Sequence, residues 1–386
     1  MTNAGASGTG CRGLSTVPPK GPAAKTVLAP RKVPLSESRD HLSLYKRSKW
    51  IILEGSRLTS PREHSIEHIR ELLERAGFYV ADTHAIRPTS FDLAARRDAT
   101  LILVKVLKNI DALDSEEATR LRELGHLFPA IILVIGQTSG ASELDAGVVY
   151  TRYGVPIINE ETLQEFLEKA LPPFLYASPG GTFAQVDGPR LRQLRDERGL
   201  SLGTLASIAG VSRRAIQLYE ESAGAEALVI ERIESFLGET VVRPIDLFDW
   251  SARARDETEK TKSKEGSEPT TEHPRPGTGD PLRDGVVRQL NGMGLEVTVT
   301  VRAPFDALAR TPDVLLAAVG SLRTALHRAE VLPGLARVAE GHAVFVVRDP
   351  VTRSAIAGLP ILTITEFRRH RDPDELIEEI TEREGP

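Results

Sequence analysis

Hydrophobic residues along this chain follow two different periods, and each change of period marks a change of architecture. Continuous apolar runs occur at Thr100 to Leu107, Ala130 to Ile135, Val314 to Val319 and Ala343 to Val347. Runs of this length without polar alternation predict strands buried on both faces of a sheet, hence an α/β sandwich. Between 190 and 220 the spacing turns helical, with Leu191 and Leu194, then Leu202, Leu205, Ala206 and Ile208, then Ile216 and Tyr219. Gly199 ends the first of these helices, Ser201 caps the second, Gly210 allows a left-handed turn and Ser212 caps the third. Ala206 is small enough for close helix crossing, and Val211 is the apolar plug between helices. With Ile216 and Tyr219 inward, Arg213, Arg214 and Gln217 fall on the outer face of the third helix, where a base-reading helix needs donors.

The strand pattern occurs twice in the same order. The first copy contains Phe91-Asp92-Leu93-Ala94-Ala95-Arg96, two apolar strands, then Gly154-Val155-Pro156-Ile157 before a helix at Leu163. The second contains Phe305-Asp306-Ala307-Leu308-Ala309-Arg310, two apolar strands, then Gly358-Leu359-Pro360-Ile361 before Phe367. Repeated order with repeated Phe-Asp and Gly-x-Pro-Ile signatures predicts a duplicated domain. Each copy reads as helix, three strands, helix, two strands, helix.

Composition sets boundaries around these parts. With 386 residues, 40% of them hydrophobic, the chain is long enough for two or three domains. Residues 1–60 are rich in Gly, Ser, Thr, Pro and basic side chains and read as a disordered basic tail, and 251–280 read as a disordered linker. The predicted domains are therefore 61–172, 185–250 and 281–386. The net charge of −5 is no footprint of nucleic-acid binding, but Arg190, Arg192, Arg195, Arg198, Arg213 and Arg214 are opposed locally only by Asp196 and Glu197. Cys11 is the sole cysteine, which excludes internal disulfides and cysteine-based zinc sites. No run approaches the roughly 18 apolar residues of a membrane span and no signal-peptide pattern is present, so a cytoplasmic location without membrane contact is expected.

Two constellations invite an enzymatic reading. Asp92 and, about a dozen residues later, Lys105 on the next strand resemble the restriction-endonuclease-like fold, whose active members hold Mg²⁺ with Asp and Glu-x-Lys. The Glu position here is Leu103; Glu67 or Glu71 on the first helix is the remaining source of a second carboxylate. The second copy keeps Asp306 but offers Ala318 or Val319 where the lysine stood. Both copies therefore resemble degenerate, non-catalytic relatives of a nuclease. His64-Ser65-Ile66-Glu67-His68 matches the His-x-x-Glu-His of inverted zinc peptidases, with both histidines on one helix face. It lacks a third ligand, and a solvated helix face is the ordinary explanation.

The spacing of Leu205-Ala206, Gly210-Val211-Ser212 and Glu220 resembles the Cro/C1 type of helix-turn-helix. That resemblance implies a partly buried pair between Arg195 and Glu220, bordering the phosphate backbone. Two positions depart from the type: Leu202 stands where relatives carry a DNA-contacting Gln, and Glu221-Ser222 replace Asn-Gly. From about Pro61 onward, Phe91 to Arg97, Lys105 to Asp111, Tyr153 to Pro156 and Ala177 to Gly181 resemble the archaeal family of HTH-type transcriptional regulatory proteins. The expected fold is α/β plus all-α, with two restriction-endonuclease-like domains flanking a Cro/C1-type helix-turn-helix. The expected function is sequence-specific binding of double-stranded DNA through Arg195, Ser201, Ser212, Arg213, Arg214 and Gln217. No catalytic residues, metal or cofactor are expected. A homodimer is, because one such module buries little DNA; the nuclease-like copies or the helix Ala225 to Leu237 could supply its interface. The alternative is a DNA-processing nuclease or repair accessory with a metal site in 61–172.

Overall fold

Ser60 and Pro61 start the first helix for reasons written in their chemistry. Ser60 accepts a hydrogen bond from the Glu63 amide while Glu63 reaches back to the Ser60 amide, and proline at the first turn lacks only an N–H that would have no helical partner. The resulting helix α1 (Pro61–Arg75) buries Ile66, Ile69, Leu72 and Leu73. Its partner surface is a sheet of β1 (Tyr79–Asp82), β2 (Leu93–Arg97), β3 (Thr100–Asn109), β4 (Ile131–Ser139), β5 (Ser142–Glu143), β6 (Val148–Arg152) and β7 (Val155–Ile158), with α2 (Ser115–Leu127) and α3 (Glu160–Lys169). This computed structural model describes residues 60–249 and 280–384 apart from 84–85, 87–88 and 311–312. The tail expected at 1–60 lies almost wholly outside the described residues, and so does the linker expected at 251–280.

Three further strands follow, β8 (Leu175–Ser178), β9 (Gly181–Gln185) and β10 (Gly224–Glu226), interleaved with α4 (Gly188–Glu197), α5 (Leu202–Ala209), α6 (Arg213–Glu220) and α7 (Ala227–Leu237). The sheet runs β1-β2-β3-β4-β7-β6-β8-β9-β10, with β5 on β4. Residues 173–184, left between two domains by the sequence pattern, thus belong largely to a hairpin that prolongs the first sheet. Its β8 pairs parallel with β6 at Val148–Leu175 and Val149–Tyr176. The hydrophobic pattern does not predict β6, because exposed Thr151 and half-buried Tyr150 and Arg152 dilute its apolar run.

The C-terminal part holds α8 (Pro281–Gly292), β11 (Glu296–Val299), β12 (Ala307–Arg310), β13 (Val314–Gly320), α9 (Leu322–Arg328), α10 (Leu332–Val338), β14 (Gly341–Val347), β15 (Ala355–Ile356), β16 (Leu359–Thr363), α11 (Ile364–Phe367) and α12 (Pro373–Glu384). Its sheet order is β11-β12-β13-β14-β16-β15. Directions match the first sheet step for step: two antiparallel pairings, two parallel ones, then an antiparallel hairpin, which is the edge only in the second sheet. The register also matches. The Asp92 amide donates to Val104 O and its carboxylate accepts from the Val106 amide; Asp306 does the same with Ala317 and Val319. Lys105 therefore corresponds to Ala318, and Arg96 to Arg310.

The two sheets share one apolar core. Phe91, Leu103 and Leu121 cluster with Phe305, Leu316, Leu335 and Phe345, and Phe128 meets Phe305 edge-to-face at 5.7 Å. The polar rim repeats across the contact: Arg96 donates to the Val338 carbonyl at the end of α10, while Arg310 donates to the Leu127 carbonyl at the end of α2. Matching arginines grip matching helix ends, as in an isologous interface between subunits. This face is closed within the chain, so it is not a free dimer interface. The described residues belong to one compact unit. Phe305→Ala should destabilise the fold by about 3–5 kcal/mol, measured by urea unfolding; a loss below about 1 kcal/mol would mean that the shared core contributes little.

Candidate nucleic-acid interface

Helices α4, α5 and α6 are short, and their ends are fixed individually. The Ser201 hydroxyl accepts from the Thr204 amide at 3.0 Å and the Ser212 hydroxyl from the Ala215 amide at 3.1 Å. Gly199 and Gly210 take φ of 61° and 72°. Leu205, Ala206, Ala209 and Ile216 are buried with Leu191 and Leu194 in one cluster. Gly188 permits the closest approach: a Cβ there would lie 2.3 Å from the Glu220 carbonyl oxygen. The Glu221-Ser222 departure resolves as a turn, since α6 stops at Glu220 and Ser222 takes φ 67°.

Arg195 clasps α4 to α6. Its Nε and Nη2 meet Glu220 Oε1 and Oε2 at 2.5 and 3.1 Å, while Nη1 donates to Asp196 at 2.6 Å and to the Leu200 carbonyl at 3.1 Å. The Glu220 hydrogen bond, against the desolvation of partial burial, raises the guanidinium pKa further above its ordinary value. All three of its nitrogens are engaged within the chain. Arg190 and Arg198 both pair with Glu239, an acid some forty residues downstream that a local count of charges overlooks. The basic face is accordingly smaller than the sequence alone suggests.

Arg213, Arg214 and Gln217 are exposed together on α6, and Arg214 Nη1 donates to Gln217 Oε1 at 3.0 Å. Exposed Thr204 and Ser207 on α5 flank the same turn; the pattern that could have singled them out is their spacing of three from Ser201. The Ser201 and Ser212 hydroxyls are occupied as caps, which leaves α5 and α6 with ordered amide ends near the surface.

The nuclease-like position has a different character. Asp92 is 2% exposed, and its Oδ1 accepts from Arg62 at 2.6 Å while Oδ2 accepts from the Val106 amide at 2.8 Å. Lys105 is turned away into contacts with the Thr89 carbonyl at 3.1 Å and Glu117 at 3.0 Å. Glu67 and Glu71 face solvent, with Glu67 on Arg70. In the second copy Asp306 is likewise gripped by Arg328, with Arg283 at 3.9 Å. An arginine cation thus stands against each aspartate, and the hard-oxygen pair that Mg²⁺ requires is not assembled, so the residues present do not fit the metal. In the zinc-like motif His64 is exposed and His68 meets Glu160 at 3.1 Å; among the described residues no group of three candidate ligands converges. No described helix is long and apolar enough to cross a membrane.

Known proteins bear on both halves of this picture. The profile of the PD-(D/E)XK superfamily domain matches residues 62–172. A Halorubrum lacusprofundi protein named "Putative HTH-type transcriptional regulatory protein" is 36% identical over 82% of this chain and 96% of its own length. Similarly named proteins of Natronomonas pharaonis and Archaeoglobus fulgidus are 36% and 32% identical, over 83% and 73% of this chain and 98% and 85% of their own lengths. The chain belongs to this archaeal family of HTH-type transcriptional regulatory proteins. No solved structure matches it. Within this family member the Arg195–Glu220 pair is nearly enclosed, at 12% and 9% side-chain exposure. Glu220→Ala is expected to cost about 3 kcal/mol, because it leaves a nearly enclosed guanidinium without its main partner. Thermal and urea unfolding measure this, and an unchanged midpoint would refute the clasp.

Proposed function

We propose that the protein is a sequence-specific regulator of transcription that reads duplex DNA with a Cro/C1-type helix-turn-helix formed by α5 and α6. The observation that carries this reading is the joint exposure of Arg213, Arg214 and Gln217 on a helix whose ends and inner face are fixed by the scaffold. Those three residues meet base edges in the major groove. The helix ends at Ser201 and Ser212 face phosphates with their backbone N–H groups, which do there what the apolar side chain of Leu202 cannot. Arg195 acts at one remove: bound to Glu220, it sets the angle of α6 and lends only residual charge to the phosphate-facing rim.

The DNA-bound state is a homodimer in this reading. With the nuclease-like faces closed on each other, α7 is the remaining surface, where Leu228 and Phe236 stand 57% and 49% exposed on one helix face. The domains act as 61–172, a docking hairpin with 185–250, and 281–386; the nuclease-like pair is a duplicated, degenerate scaffold without catalytic residues, metal or cofactor, and the cytoplasm is where such a regulator works. A metal-dependent nuclease or repair accessory is the second reading, favoured by the PD-(D/E)XK match at 62–172. Its carboxylate is clamped by Arg62, which argues for scaffold over catalyst.

Arg213→Ala should cost roughly 1–3 kcal/mol at a cognate site and relax its base preference, read by quantitative binding at fixed salt; an equal loss on random duplex would remove the base-reading role. Incubating the whole chain with duplex, branched and single-stranded DNA in Mg²⁺ or Mn²⁺ should give no cleavage. Cleavage abolished by Asp92→Ala would establish the nuclease reading instead. Charged replacement of Leu228 and Phe236 together should shift the sedimenting species to monomer, and an unaltered distribution would rule out α7 as the dimer face.

A further inference from the structure

The exposed face of α6 is unusual in what it lacks. Arg213 and Arg214 offer only hydrogen-bond donors. Gln217 carries both a donor and an acceptor, and that pair is what lets a glutamine read the N6 and N7 edge of adenine. Here its Oε1 already accepts from Arg214 Nη1 at 3.0 Å, which occupies one of that oxygen's two lone pairs, ties it to a cation and leaves both Nε2 hydrogens to donate. Glu221, the acceptor next along this face, sits beyond the end of α6 as its cap, toward the end of the helix that leaves the groove.

Arg213 also packs closely against α5. Its guanidinium lies over Gly203, the second residue of α5: a Cβ on Gly203 would stand 2.8 Å from Arg213 Nε and 3.2 Å from its Cζ. Glycine is a poor helix residue, and at φ below zero nothing in the local backbone demands one, since Gly203 is absent from the positive-φ positions. The space it leaves is filled by Arg213.

We propose that α6 is a donor array preset for guanine. Gly203 seats Arg213, Arg214 holds the Gln217 carbonyl, and the three side chains together present N–H groups to the N7 and O6 acceptors that guanine alone pairs in the major groove. The half-site read by this helix is therefore guanine-rich on one strand, and Gly203 is a positioning residue for base choice. This inference rests on the proposed base-reading role of α6.

In vitro selection from random-sequence duplexes with the full chain tests it, run in parallel for wild type, R214A, Q217E and G203A. Wild type should enrich successive guanines, each preferred roughly 5- to 150-fold over other bases. R214A frees the Gln217 carbonyl and should convert one enriched guanine to adenine, while Q217E, an acceptor only, should convert the same position to cytosine. G203A should blur one guanine position without lowering the melting temperature, an effect that a purely structural glycine would not produce. A wild-type motif without guanine, or the same motif from R214A and wild type, overturns the donor array and leaves the DNA-reading function standing. Binding that enriches no motif in any variant overturns both.

Discussion

Backbone pairing between β9 and β10 is the constraint on which the rest of the arrangement depends. Gly224, Ala225 and Glu226 pair with Gln185, Ala184 and Phe183 just four residues after α6 ends, and β9 continues through β8 to β6. The strand that follows α6 is thereby joined by an unbroken ladder to the first nuclease-like sheet. Gly224 is required for this close passage, since a Cβ there would fall 2.2 Å from the Tyr176 hydroxyl. A short helix of eight residues has little stability of its own. Its orientation comes from this ladder on one side and from the Arg195 clasp on the other.

The two nuclease-like copies are packed on each other through a shared apolar core. Their shared core, with Arg96 and Arg310 on opposite helix ends, encloses in one chain what resembles a dimer of two such modules. One difference between the copies is chemically informative. The Ser90 amide donates to the Arg302 carbonyl at 2.8 Å, whereas the matching position in the second copy is Pro304, which has no amide hydrogen to return the bond. The symmetry of the contact is broken there by a single residue type.

At each of the two matching aspartates an arginine supplies the positive charge. A carboxylate buried at the start of a strand needs a compensating cation and donors. Arg62 and the Val106 amide supply them to Asp92, and Arg328 with the Val319 amide supply them to Asp306. The two arginines come from different elements, α1 and α9, so the same electrostatic requirement is met by different routes. The aspartates hold sheet and helix together where a nuclease would hold its ion.

Much of the molecule was determined locally. The strand runs from Thr100 to Leu107 and Val314 to Val319, the Ser201 and Ser212 caps, the left-handed Gly199 and Gly210 and the outward face of Arg213, Arg214 and Gln217 all follow from neighbouring residues, because periodicity and capping are short-range. Other features required distant partners. Glu239 neutralises Arg190 and Arg198 from beyond α7, Arg62 reaches Asp92 across the first layer, and residues 173–184 become sheet because β6 offers them an edge. The two copies could be recognised in the chain, but not that they face each other through one core. Local chemistry decides which element a segment forms; which charges cancel, and which faces are closed, is decided only where the chain returns on itself.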